Sequence, residues 1–214
     1  MIILVGMDIL EIVRLLFIYA IAITIHEFSH AWMGNYLGDP TAKHEGRLTL
    51  NPAAHIDPFT TLALPFFLIL LGSPIIFGAA RPVPFNPYLV RGGKKGAALI
   101  ALAGPASNLV LAIVVGLILR FVPTLIPVGQ GIFVSMMTVN IALALFNLIP
   151  IPPLDGSRVL YAFAPPKMAE YLERFEQMGP ITLLLIFIVI FPLISGWLQL
   201  AIRTISAFLL GISI

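Results

Sequence analysis

Apolar residues run along the chain in long blocks separated by short polar stretches, and the block lengths indicate the elements. A bilayer core about 30 Å thick needs about 20 mostly apolar residues per helix. On that measure residues 10–36, 96–121 and 131–150 each predict a spanning helix. Residues 58–77 are a weaker candidate, because Pro65, Gly72, Ser73 and Pro74 leave an apolar run of only ~13 residues, a length typical of re-entrant or interfacial segments. A dip and return is expected there. Residues 181–214 would form one helix ~51 Å long at 1.5 Å per residue, too long for a single crossing. Pro192 and Gly196 predict a break into two pieces. The stretches 39–58 and 78–95 collect the turn formers and two short extended runs, 47–50 and 81–85. These predict brief strands or a hairpin at the membrane surface. The fold class is an all-α polytopic membrane protein of about five to six membrane helices. It is read as one integral-membrane domain over residues 1–214, with its core motifs in 10–160.

Composition supports the bilayer as solvent: 59% of the 214 residues are hydrophobic and 10% charged, against roughly 45 to 50% and about 25% in soluble domains. No stretch is polar enough for an appended soluble domain. The formal charge of +2 is spread thinly, so a nucleic-acid partner is not expected and the basic residues read as topology signals. With no cysteine, thiolate nucleophiles and thiolate ligands are excluded, and any metal must rest on His, Asp and Glu. The N-terminus lacks the basic region and cleavage site of a signal peptide, so the first helix is expected to belong to the mature protein.

The first block contains His26-Glu27-Phe28-Ser29-His30, an H-E-x-x-H pattern. Four helical residues turn 400°, which leaves the two imidazoles about 40° apart on one face, where both can reach one metal ion. Glu27 lies beside that face, the position a general base needs to take a proton from water. The bare pattern also occurs on solvated surfaces. Here it continues an unbroken apolar run from Leu15 to Ile23, and ionisable groups at membrane depth cost several kcal/mol unless they face a polar interior.

A catalytic zinc site usually takes three protein ligands and keeps a fourth position open. Asp155 is the candidate for the third. It follows an apolar span and the run Asn147-Leu148-Ile149-Pro150-Ile151-Pro152-Pro153-Leu154, whose prolines predict an unwound segment. Such a segment offers Asp155 to a metal and leaves Asn147 nearby as a possible oxyanion donor. The local sequence equally allows Asp155-Gly156 to be a turn that caps the next helix.

Taken together, the chain resembles the site-2 protease family of intramembrane zinc metalloproteases. The resemblance rests on His26-Glu27-x-x-His30, on Gly104-Pro105-Ala106-Ser107-Asn108, and on Asn147 through Leu154-Asp155-Gly156, in the family's order across residues 20–160. It implies cleavage of single-span transmembrane substrates inside the bilayer, the chemistry of regulated intramembrane proteolysis. One Zn2+ would be held by His26, His30 and Asp155, with Glu27 as base and Asn147 close to the site. Asn108 and Asn140 read equally well as helix-to-helix hydrogen-bonding residues. The chain departs from larger members in having no PDZ insertion or CBS pair and no extra span before the motif.

Two histidines remain. His44 reads as solvated surface, and His55, at the mouth of the short apolar segment, as a gating or supporting residue at most. One metal joining His30 to Asp155 requires the loops 38–57, 78–95 and 151–178 at one face. That face carries Lys43, Arg47, Arg81, Arg91, Lys94, Lys95, Arg158, Lys167 and Arg174, so the positive-inside rule places it in the cytoplasm of a cell bounded by this membrane. The rival reading is a metal-ion transporter or permease, which would explain the ligands but gives Glu27 no task.

Overall fold

A computed structural model of the chain describes residues 9–63, 65–67, 80–122, 126–178 and 189–212. The longer helices are α1 (Ile9–Tyr36), α2 (Gly93–Phe121), α3 (Ile126–Asn147), α4 (Asp155–Phe163), α5 (Pro166–Gln177) and α6 (Phe191–Leu210). Single turns at Thr41–His44, Pro52–Ala54 and Pro58–Ala63 occupy the loop after α1.

Among the described residues, α1, α2 and α6 are long and apolar enough to cross a membrane, while the apolar stretch Gly131–Asn147 of α3 is shorter. The expected count of about five to six therefore has three members of full length here. Most of the expected dip at 58–77 lies outside the described residues, as does 179–188 of the last apolar block. Pro192 stands in the first turn of α6, directly after a π-helical turn at 189–190, so the described residues show no break there. Gly196, expected to break the helix, lies inside it without interruption. A glycine weakens a helix by only about 1 kcal/mol, too little to end one in an apolar setting.

Helix α2 is the centre of the assembly. Its C-terminal half packs Ala112, Val115 and Leu119 against Met137 and Ile141 of α3 and Leu209 of α6, an apolar core. Its N-terminal half faces α1 and α4. On α1 the buried residues Ala22, Ile23, His26, Glu27, His30, Ala31 and Gly34 recur at three- and four-residue intervals. That stripe turns the motif inward and leaves Phe17, Trp32 and Tyr36 exposed.

At the motif end the loops are tied together. Arg91 N–H donates to Leu37 O at 2.8 Å, and Arg81 N–H donates to His55 O at 2.9 Å. Asn86 N–H reaches Asp39 Oδ2 at 2.6 Å, Arg158 lies over the Phe85 ring, and Lys94 lies over Tyr161. At the other end Arg120 reaches Phe208 O. The three loops thus gather on one side, as a shared metal requires.

The surface strands or hairpin expected at 47–50 and 81–85 do not form; no strand occurs among the described residues. Pro82 and Pro84 have no N–H to give a ladder. The segment is held by side chains instead: Arg47 Nη2 donates to Arg81 O at 2.8 Å and to Pro82 O at 2.9 Å.

Candidate metal centre

Helix α3 ends at Asn147, and the chain turns through 148–154 before α4 opens at Asp155. The expected unwound segment is present. Gly156 lets this turn close: a Cβ there would lie 2.3 Å from Leu148 O and 2.6 Å from Ile149 O. With no side chain at 156, the first turn of α4 presses onto the end of α3. The Asp155 carboxylate then points across to α1 and does not cap its own helix.

There it meets both histidines. His26 Nε2 lies 3.1 Å and His30 Nε2 3.4 Å from Asp155 Oδ2, and the two Nε2 atoms are 3.0 Å apart. His26, His30 and Asp155 form a group that could hold a metal ion. Both imidazoles are buried, at 4% and 8% exposure, so this is an interior site.

Which nitrogen carries each proton follows from the partners. His30 Nδ1 is 2.7 Å from Ile100 O, a carbonyl that only accepts, so Nδ1 is the donor and Nε2 holds a lone pair. His26 Nδ1 is 2.6 Å from Asn108 Oδ1. Asn108 Nδ2 donates to Ala22 O at 3.1 Å and to Asn140 Oδ1 at 2.7 Å, while Asn140 Nδ2 donates to Met136 O at 2.8 Å. That chain of acceptors fixes Asn108 Oδ1 as the end facing His26, so His26 Nδ1 also donates and its Nε2 also carries a lone pair. With both imidazoles neutral, their Nε2 lone pairs converge with Asp155 Oδ2, a donor set suited to a cation. Their separations match the edges of about 3.3 Å in a tetrahedron with arms of about 2.0 Å, the zinc geometry. The donor set fits the metal.

Glu27 is buried beside the group, and its Oε2 accepts Val83 N–H at 3.2 Å from the extended segment after Pro82. Asn147 is not drawn into the cluster; one amide hydrogen goes to Leu143 O of its own helix at 3.0 Å. His44 is exposed. His55 is fully buried and ties loops, with Nε2 2.7 Å from Thr49 O.

The helix-to-helix bonding read for Asn108 and Asn140 is present, and it does more than join helices, because it sets the tautomer of His26. Two further residues have roles that the sequence did not assign. Gly104 approaches both imidazoles, and a Cβ there would sit 2.4 Å from His30 Nε2. Asp39, 1% exposed, anchors Asn86 and Thr41. As an aspartate in a polar loop it carries no sequence signal that marks it out.

Comparison with known proteins points to one family. Residues 128–190 match Peptidase family M50. A Bacillus subtilis protein with the provisional name zinc metalloprotease YwhC is 34% identical over 201 residues, 87% of this chain and 88% of that protein. Proteins provisionally named zinc metalloprotease Rip2 are 31% identical over 180 residues in Mycolicibacterium smegmatis and 32% identical over 182 residues in Mycobacterium tuberculosis. Each of these alignments covers 84% of this chain and 67% of the relative. No solved structure gives a match. With identity above 30% sustained over nearly the whole of a relative, the chain belongs to peptidase family M50, the site-2 protease family.

Proposed function

We propose that this chain is a zinc-dependent endopeptidase that hydrolyses peptide bonds within or near the membrane helix of single-span proteins. The observation that carries the proposal is the convergence of His26 Nε2, His30 Nε2 and Asp155 Oδ2 beside a buried Glu27, on an apolar helix long enough to cross a bilayer. Whole-chain relatives with metalloprotease names support it and do not favour the metal-permease alternative.

His26, His30 and Asp155 would be the ligands. When bound, zinc supplies Lewis acidity that makes water easier to deprotonate at neutral pH and a carbonyl easier to attack. Glu27 takes the proton from the attacking water and returns it to the leaving amine. Its Oε2 is engaged by Val83 N–H, so Oε1 is the oxygen offered to water. Asn147 has two amide hydrogens and spends one on Leu143 O; the second is the donor for the developing oxyanion.

A membrane helix protects its peptide bonds by hydrogen-bonding its carbonyls and excluding water. Cleavage therefore needs local unwinding, for which the site lies beside the non-helical segments 81–86 and 148–154. The basic residues gathered on the motif side argue for a cytoplasmic active site in the plasma membrane. We take 1–214 as one protease domain in the bilayer. The test is Glu27→Gln: cleavage of a reconstituted single-span substrate should vanish while zinc content stays at wild type. An active variant would remove Glu27 as the base, and an inactive, zinc-free one would make it a metal-site residue.

A further inference from the structure

The extended segment 81–86 touches the metal centre's acid through Val83, whose N–H donates to Glu27 Oε2. Val83 stands between Pro82 and Pro84, neither of which has an N–H. The carbonyl of the same peptide unit belongs to Pro82 and is bound from the other side by Arg47 Nη2 at 2.9 Å. One planar, trans peptide unit is thus held at both ends, by a guanidinium on its oxygen and by Glu27 on its hydrogen. Arg47 Nη2 also holds the preceding carbonyl, Arg81 O, at 2.8 Å, so the segment is held at two successive carbonyls.

Arg47 is an unusual loop residue, because it is 5% exposed although arginine is seldom buried unless paired. Burial foremost, with Arg81, moves its pKa below the ordinary arginine value, while the charge of Glu27 acts against that shift. The two side chains therefore feel each other's charge as well as sharing a peptide unit. Beyond Val83 the segment is anchored independently, by Asp39 at Asn86 and by Arg158 over Phe85. Losing Arg47 would leave the Asn86 end and the Arg81 N–H to His55 O bond in place and remove the hold on the Pro82–Val83 peptide unit that meets Glu27.

We infer that Arg47 is a positioning residue for Glu27, acting through the Pro82–Val83 peptide unit to anchor one carboxylate oxygen so that the other faces the attacking water. This rests on the base role proposed for Glu27. A correctly placed general base contributes about 10² to 10⁴ in rate, and loss of its anchor is expected to remove part of that, about 10- to 100-fold.

The experiment uses the full chain in proteoliposomes and a quenched fluorescent single-span peptide cleaved by the wild type. Arg47→Met should lower kcat about 10- to 100-fold with KM and zinc stoichiometry unchanged, and Arg47→Lys should recover part of the loss. Val83→Pro, which deletes the N–H, should give a similar fall, and Val83→Ala, which keeps it, a clearly smaller one. The Arg47→Met/Val83→Pro double variant should be no slower than the slower single variant, since both break one path. Additive losses, or a defect confined to KM or zinc, would overturn the inference and make Arg47 a general support of the loop. Amide hydrogen exchange of Val83 gives a readout without catalysis: protection should fall in Arg47→Met and in Glu27→Gln. Unchanged exchange in Arg47→Met would overturn the inference even if turnover fell. If the wild type cleaves no peptide, the protease reading fails while the exchange measurement still decides whether Arg47 sets the Val83–Glu27 contact.

Discussion

Gly104→Ala places a methyl group where helices α1 and α2 are closest to the metal ligands. The added carbon would lie 2.4 Å from His30 Nε2, 2.6 Å from His30 Cε1 and 2.7 Å from His26 Cε1, against about 3.4 Å for an ordinary contact. Relief requires the His30 ring to retreat by about 1 Å, or the two helices to part by as much, whereas zinc ligand distances tolerate only about ±0.2 Å. The His30 ring is tethered at its far side by Ile100 O, so it cannot swing away without losing that bond. Overpacking costs about 1–3 kcal/mol; if the strain is relieved at the ligands, that is about 5- to 150-fold in zinc affinity. Gly104→Ala should therefore bind zinc in that range more weakly, turn over correspondingly less substrate at limiting zinc, and still fold. The assay is zinc occupancy by elemental analysis after equilibration with graded chelator, alongside a melting curve on the same preparation. An alanine variant with wild-type zinc affinity and turnover would refute the close packing on which the site's description depends.

Other consequences follow from the same network. Asn108→Leu removes the acceptor that fixes the His26 tautomer, so zinc affinity should drop about 10- to 100-fold, with a loss of folding stability of about 1–3 kcal/mol from unsatisfied buried partners; chelator titration and thermal melting measure the two. Asp155→Ala deletes a ligand and should abolish stoichiometric zinc while the helices stay folded by circular dichroism; full zinc occupancy would mean that another group completes the site. Asn147→Ala should lower kcat about 10²- to 10³-fold with zinc and melting temperature near wild type, and Asn147→Asp should do no better because a carboxylate repels the developing charge. A destabilised but fully active Asn147→Ala enzyme would end the oxyanion assignment.

The parts of the site that were legible in the sequence are those governed by short-range geometry. The spacing of His26 and His30 places them on one helical face wherever that helix goes, and an apolar surround makes their polarity costly unless it is used. The prolines before Asp155 end α3 by local chemistry, and the break appeared where they stand. What the sequence did not reveal depends on which faces meet. Asn108 is an ordinary buried amide until α1 is packed against α2, and only then does its oxygen aim at His26. Gly104 only opens the Gly104–Asn108 motif until the imidazoles are seen against it. The expected strand at 81–85 does not form because extended sequence need not be pairing sequence: Pro82 and Pro84 cannot donate, and a distant arginine supplies the donors. Gly196 does not break α6, because its cost of about 1 kcal/mol is small beside the cost of unbonded backbone in a membrane.

The most direct test of the account is to map the cut made by purified protein, reconstituted in liposomes, on a single-span substrate by mass spectrometry, with and without a zinc chelator and after zinc is restored. The account predicts a cut within or next to the substrate's membrane span that disappears with chelator, returns with zinc, and is absent throughout with Glu27→Gln. Cleavage that persists in chelator at full rate, or that occurs only in soluble regions of the substrate, would contradict it.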